Sequence, residues 1–372
     1  MKKITTLALS LATISSFGFA KEITIAAVMP VTGPVAAYGQ TAYEGVALAN
    51  KMRPTLKNGD TIKVVLLDTR GEKVETSNAT TRAISQNKAV GIIGELITAN
   101  TMQVMAIADK SKIPVIAPAA TSDKLLDNVK FGSRVCFMDS FQGKAAAEFA
   151  AKELGYKTAV IVVDQAQVYS LGLAKTFESE FVKNGGEVLS KLKISSGDKD
   201  FKAIVSQIKS KNPDFVYVPT YHPEASLLAR QAQQVNLNKP MVGADGVANP
   251  TFIELGGDAV NGFIFSDSFD ASNPPTELSK KFLDEYEKEK STRDIAGFTA
   301  LGADAYFVMV EAMDKCADPS DSVCINDQIH KTKEFSGVSG VISIDEKGNA
   351  IRSVVMKEIV GGKPTFKANV NP

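Results

Sequence analysis

The sequence predicts an α/β fold of two similar lobes, each built around a parallel sheet. Short β-branched runs alternate with longer stretches of helical period along most of the chain. That alternation is the mark of parallel strands joined by right-handed crossovers. The 372 residues suit two domains at the usual ~100–200 residues each. An internal echo points the same way. Ile23–Met29, then Tyr38, then Gly45-Val46-Ala47-Leu48-Ala49 is matched by Ala159–Val163, then Tyr169, then Gly172-Leu173-Ala174.

The elements follow in order. Residues Met1 to Ala20 have the form of an export leader: Lys2 and Lys3, an apolar run from Ile4 to Phe17, then Gly18 and Ala20 as small cleavage residues. That run is shorter than the ~20 apolar residues a membrane span needs. Cleavage is expected after Ala20, leaving a soluble exported chain that starts at Lys21. Strands are expected at Ile23–Met29, Ile62–Leu67, Val90–Ile93, Val115–Pro118, Thr158–Val163, Glu187–Ile194, Phe215–Pro219 and Gly262–Ser266. Helices are expected at Tyr38–Arg53, Lys73–Gln86, Asn100–Ser111, Phe141–Leu154, Leu171–Lys183, Phe201–Lys211 and Glu224–Val235. Two further helices, Thr276–Lys290 and Ala300–Cys316, precede a closing hairpin. That hairpin is expected to pair Val341–Asp345 with Ser353–Glu358 around Glu346-Lys347-Gly348-Asn349, with Gly348 and Asn349 taking the positive φ.

Composition narrows the function. The formal charge of the whole chain is +0 and no basic run occurs, so neither nucleic acid nor an acidic membrane surface is an expected partner. Three cysteines and two histidines, all scattered, form no recognisable metal site, and no cofactor is expected. In an oxidising compartment Cys316 and Cys324 are expected to bridge their short acidic loop, while Cys136, within Val135-Cys136-Phe137-Met138, reads as a buried thiol.

In open α/β sheets ligands bind beyond the carboxyl ends of the strands, which singles out four loops. After Val90–Ile93, Thr98 sits at the start of a helix whose free N–H groups would suit a carboxylate. Equally, Thr98 or Asn100 could simply cap that helix. Ala117-Pro118-Ala119-Ala120-Thr121 offers small residues that admit close backbone approach, plus the Thr121 hydroxyl. There the plain alternative is a turn capped by Ser122 or Asp123. Tyr221 and Asp245 stand at strand ends in the second half, Asp245 between Gly243 and Gly246 and suited to pair with an ammonium group. A solvated loop aspartate is the competing reading, and His222, beside Pro223, reads as shaping its loop. No nucleophile elbow, phosphate-binding loop or dinucleotide fingerprint is present, which argues against an enzyme.

The motifs resemble those of the leucine/isoleucine/valine-binding proteins of bacterial ABC importers. They are Met29-Pro30-Val31-Thr32-Gly33-Pro34 through Tyr38-Gly39, Ala117-Pro118-Ala119-Ala120-Thr121, Gly197-Asp198-Lys199-Asp200-Phe201, Tyr221-His222-Pro223-Glu224 and Gly246-Val247-Ala248-Asn249. The resemblance spans the chain after the leader. It implies two Rossmann-like lobes joined by a three-segment hinge, a Venus flytrap with 21–139 plus 270–338 in the first lobe and 140–269 plus 339–372 in the second. By the same resemblance Thr98, Ala119 and Thr121 would hold the carboxylate and amine of an amino acid. Asp245 stands where relatives carry Glu, the counter-charge to the ammonium. Tyr38, Leu96, Ile97, Tyr169, Tyr221 and Phe298 would wall the side-chain pocket. The implied protein is a periplasmic monomer delivering a free amino acid, most simply a branched-chain one, to a membrane permease. Another small amino acid or carboxylate is an open alternative, as is a ligand-presenting module for a chemoreceptor.

Overall fold

The computed structural model describes residues 20–372, so the leader lies outside the described residues except for Ala20. Two sheets organise the chain. The first runs β2 (Thr61–Asp68), β1 (Glu22–Met29), β3 (Gly91–Gly94), β4 (Val115–Ala117), β5 (Gly132–Arg134), all parallel. The second runs β15 (Lys363–Val370), β14 (Val354–Val360), β10 (Ile264–Asp267), β9 (Met241–Gly243), β8 (Phe215–Val218), β6 (Thr158–Asp164), β7 (Glu187–Ile194). Strands β6 to β10 pair in parallel, while β14 and β15 add antiparallel at one edge. Ile25, Ala27, Val160, Val162 and Val216 are wholly buried, as strands covered by helices on both faces must be.

Helix Gly297–Met313 returns to the first sheet by packing along helix Ala36–Met52. Glycines permit the approach. A Cβ on Gly45 would lie 1.9 Å from the Thr299 carbonyl oxygen, and one on Gly302 2.0 Å from that of Ala42.

The closing hairpin differs from the sequence reading. The turn forms, with Asp345 N–H bonded to Asn349 O and Gly348 N–H to Asp345 O, but Gly348 alone takes positive φ, at 86°. The strand β12 (Val341–Ile344) pairs with β11 (Phe335–Ser336) and β13 (Ala350–Ile351) in a small sheet of its own, and β14 leaves to join β10. Arg352 ends the pairing where the backbone crosses between sheets.

The chain makes three such crossings: after β5, after β10 and between β13 and β14. One buried guanidinium ties them together. Arg352 donates to the carbonyls of Val135 (3.0 Å), Ser268 (2.7 Å) and Ser339 (3.2 Å), and to Ser339 Oγ (2.8 Å). Ser339 in turn is held by the buried carboxylate of Asp304. Cys316 and Cys324 form a disulfide, and Cys136 is a free, buried thiol. Among the described residues no helix is long and apolar enough to cross a membrane.

Candidate functional site

The carboxyl ends of both sheets face one cleft, and five helices begin there: Thr98–Lys110, Asp139–Glu148, Val168–Lys183, His222–Gln234 and Gly297–Met313. None of the five has a side-chain cap. Thr98, Tyr169 and Phe298, in three of the first turns, line a small cavity together with residues of the adjoining loops. Tyr38, Leu96, Ile97, Thr98, Ala119 and Phe298 line it from the first-sheet side, and Tyr169, Tyr221, Asp245 and Gly246 from the second. Thr121 does not reach this wall. It lies below, its Oγ1 buried and without a partner.

The second-sheet wall presents a carboxylate. Asp245 is 5% exposed, and its Oδ1 accepts from Tyr169 Oη (2.8 Å) and Gln142 Nε2 (3.0 Å). Tyr169 Oη also accepts the Gly246 N–H at 2.9 Å, which fixes the phenol. Among the described residues no hydrogen bond reaches Asp245 Oδ2, so that oxygen is left for a donor in the cavity. Burial raises the Asp245 carboxyl to about 6, opposed by the donors from Tyr169 and Gln142.

The first-sheet wall presents donors. Thr98 is the first residue of its helix, with Ile97 in the cap position. Thr98 therefore does not cap the helix, and its hydroxyl faces the cavity. Two other amides at this helix end are already taken: Glu95 accepts from the N–H groups of Leu96 (2.8 Å) and Ile97 (2.7 Å), from Thr69 Oγ1 (2.6 Å) and from Asn100 Nδ2 (3.4 Å). Burial pushes Glu95 up to about 6. Ala119 lies past the end of β4, and neither its N–H nor its C=O has a partner among the described residues.

Aromatic rings close the space between the walls. Tyr169 and Tyr221 stack at 4.9 Å, and Tyr38 meets Phe298 edge-on at 5.3 Å. Tyr38 joins the walls directly: its Oη donates to Gly246 O (2.5 Å) and accepts the His222 N–H (3.1 Å). The His222 ring is buried and held near 4 by burial, so it is neutral at pH 7 and serves the loop.

Comparison with known proteins now has a geometry to meet. The periplasmic binding protein family model matches residues 22–363. A Leu/Ile/Val-binding protein from Rhizobium johnstonii is 30% identical over 341 residues, 88% of this chain and 89% of the relative. This chain belongs to the periplasmic leucine/isoleucine/valine-binding protein family. A Pseudomonas aeruginosa member, named as binding leucine, isoleucine, valine, threonine and alanine, is 28% identical across 92% of this chain and 91% of its own. Among solved members, the Thermotoga maritima leucine-binding protein superposes with a TM-score of 0.91 at 40% identity, covering 94% of this chain and 99% of that one. The Streptococcus pneumoniae branched-chain amino-acid binding protein, solved with isoleucine, gives 0.88 at 30% identity, covering 95% and 100%. The two-lobed α/β fold is thus that of the family, whose members are substrate-binding proteins. Glu95, Asp139 and Gln142 escaped the sequence reading as site residues, and Gly246 was read only as part of a motif. Gln142 belongs to a helix whose expected start, Phe141, fell two residues late.

Proposed function

We propose that this chain captures a free branched-chain amino acid between its lobes and delivers it to the permease of an ABC importer. The observation that carries the reading is the opposition of charges across the cavity. An ionisable carboxylate with one oxygen unclaimed faces, from the other lobe, the Thr98 hydroxyl and the unpaired backbone groups of Ala119. An amino-acid zwitterion needs both, because each buried unpaired charge costs several kcal/mol. Its ammonium would meet Asp245 and its carboxylate Thr98 and Ala119. The ligand touches both lobes, so it favours the closed state. Leu96, Ile97 and Phe298 add apolar wall.

The relatives' names support branched-chain side chains. Export through the leader over 1–20, periplasmic residence after cleavage at Ala20, a monomeric state and non-catalytic action complete the proposal. We place the third lobe boundary at Arg352, where the backbone enters the second sheet. A thermal-shift screen of the mature chain against the twenty amino acids tests it, since ligands of the native state raise its melting temperature. Leucine, isoleucine or valine is expected to give the largest rise. No rise with any amino acid refutes the reading.

A further inference from the structure

Below Asp245 lies a second carboxylate. Asp139, in the first turn of its helix, is wholly buried. Gln142, one turn on, donates through the same Nε2 to Asp139 Oδ1 (3.0 Å) and to Asp245 Oδ1 (3.0 Å). The amide cannot flip without loss: its Oε1 accepts from Ser266 Oγ at 2.8 Å and from the Asp245 N–H at 3.4 Å. The two acids are therefore joined through one NH₂ group. Asp139 Oδ2 and Thr121 Oγ1 are both fully buried and have no other partner, and the Thr121 hydroxyl lies close enough to Asp139 to favour its ionised form. The Asp139 N–H binds Thr121 O at 2.9 Å, which sets these two orphaned atoms on neighbouring chain segments. Helix Val168–Lys183 seals the other side, since a Cβ on Gly172 would lie 3.4 Å from Asp139 Oδ2.

Among the described residues no cation hydrogen-bonds to either acid of the pair. Arg134, on β5, feels the charge of Asp139, yet its guanidinium donates only to Ala120 O (3.2 Å), with Nε and Nη2 unpartnered. Lys357 is occupied by Asp267 at 2.9 Å. The other titratable groups facing the pair are Cys136, Asp123, Asp267, Tyr38, Tyr169, Tyr217 and Tyr221, and none supplies positive charge. Two buried carboxylates in this position cannot both ionise cheaply.

We infer that Asp139 and Asp245 act as one acid pair that keeps a proton while the cleft is empty, and that a ligand's ammonium group displaces that proton. Asp139 is thereby a specificity-determining residue that favours cationic amines over uncharged or anionic ligands. The step balances: the ligand enters as R–NH₃⁺, the pair goes from one proton to none, and that proton leaves to solvent. Thr121 Oγ1 is placed to turn its hydrogen toward the newly ionised Asp139. Burial and the charge of Asp245 raise Asp139 to about 8, and burial raises Asp245 to about 6, so near pH 7 the empty pair holds a proton. The sign follows. Affinity rises with pH while binding must expel the proton, and levels once the empty pair has lost it.

This inference rests on the amino-acid reading of the cleft. Calorimetric titration of the mature protein with L-leucine, in two buffers of different ionisation enthalpy, counts the protons released. Close to one per leucine is expected near pH 7, with affinity rising up to about tenfold per pH unit between about 6 and 8. Asp139→Asn should bind leucine with little proton release at pH 7 and a flat profile from about 7 to 8, where Asp245, raised only to about 6, is already ionised. Leucine binding by the wild-type protein without proton release overturns the acid pair and leaves the cleft reading standing. That wild-type count decides the matter even if the variant fails to fold. Failure of every amino acid to bind overturns both.

Discussion

Replacing Asp245 by Asn should move the stability of the empty protein and its ligand affinity in opposite directions. The isosteric amide can still accept from Tyr169 and Gln142 through Oδ1, so the packing is retained and only the charge is lost. Asp245 is raised from its ordinary 3.8 to about 6 by burial. At ~1.4 kcal/mol per pH unit this costs the empty fold roughly 3 kcal/mol at pH 7. Because the folded value exceeds the unfolded one, the cost is absent below about pH 4, grows between the two values and is complete above about 6. Asp245→Asn should therefore raise the melting temperature at pH 7 by several degrees, and the gain should vanish near pH 4. Leucine binding should weaken by roughly 3–5 kcal/mol, more than a hundredfold, because the ammonium loses its counter-charge in a buried site. Differential scanning calorimetry and isothermal titration at matched pH read both quantities. A variant that is less stable at pH 7, or that binds leucine as well as the parent, refutes the reasoning.

Other consequences are equally direct. Tyr38→Phe removes the hydrogen bonds to Gly246 and His222 that join the walls, at about 1 kcal/mol each. Ligand affinity should fall by tenfold or more, with a more open average shape by small-angle scattering. Gly302→Ala forces a methyl to 2.0 Å from the Ala42 carbonyl, and urea unfolding should show a loss of about 1–3 kcal/mol or more. Arg352→Met strips the donor shared by Val135, Ser268 and Ser339, and stability should drop by about 3 kcal/mol.

The strands were readable because each is a β-branched run buried on both faces, a pattern that periodicity detects without context. The helix starts were not. Asn100, Phe141, Leu171, Glu224 and Ala300 were expected to open helices that actually begin at Thr98, Asp139, Val168, His222 and Gly297. Capping residues mark a helix start in sequence, and these five ends have no side-chain cap to mark them, as is also true of helices Lys73–Ser85 and Lys202–Lys211. Away from the cleft, Asn249, Thr276 and Asp321 cap their helices in the ordinary way. The closing hairpin misled for another reason. The turn at 345–349 is local, but the exit of β14 to a distant sheet is imposed by the hinge that Arg352 holds. In the site, Asp245 and the lining aromatics stood in recognisable motifs. Gln142 matters through contacts more than 100 residues away in sequence, such as its bond to Asp245, and Asp139 through Gln142.

The account turns on a division of labour between two walls, and competitive calorimetry with three ligands of one shape examines it. L-leucine should bind, while 4-methylpentanoate, lacking the amine, and isoamylamine, lacking the carboxylate, should each bind at least about a hundredfold more weakly, since each leaves one charged wall unanswered. If 4-methylpentanoate binds as tightly as leucine, Asp245 does not hold an ammonium group and the account is wrong.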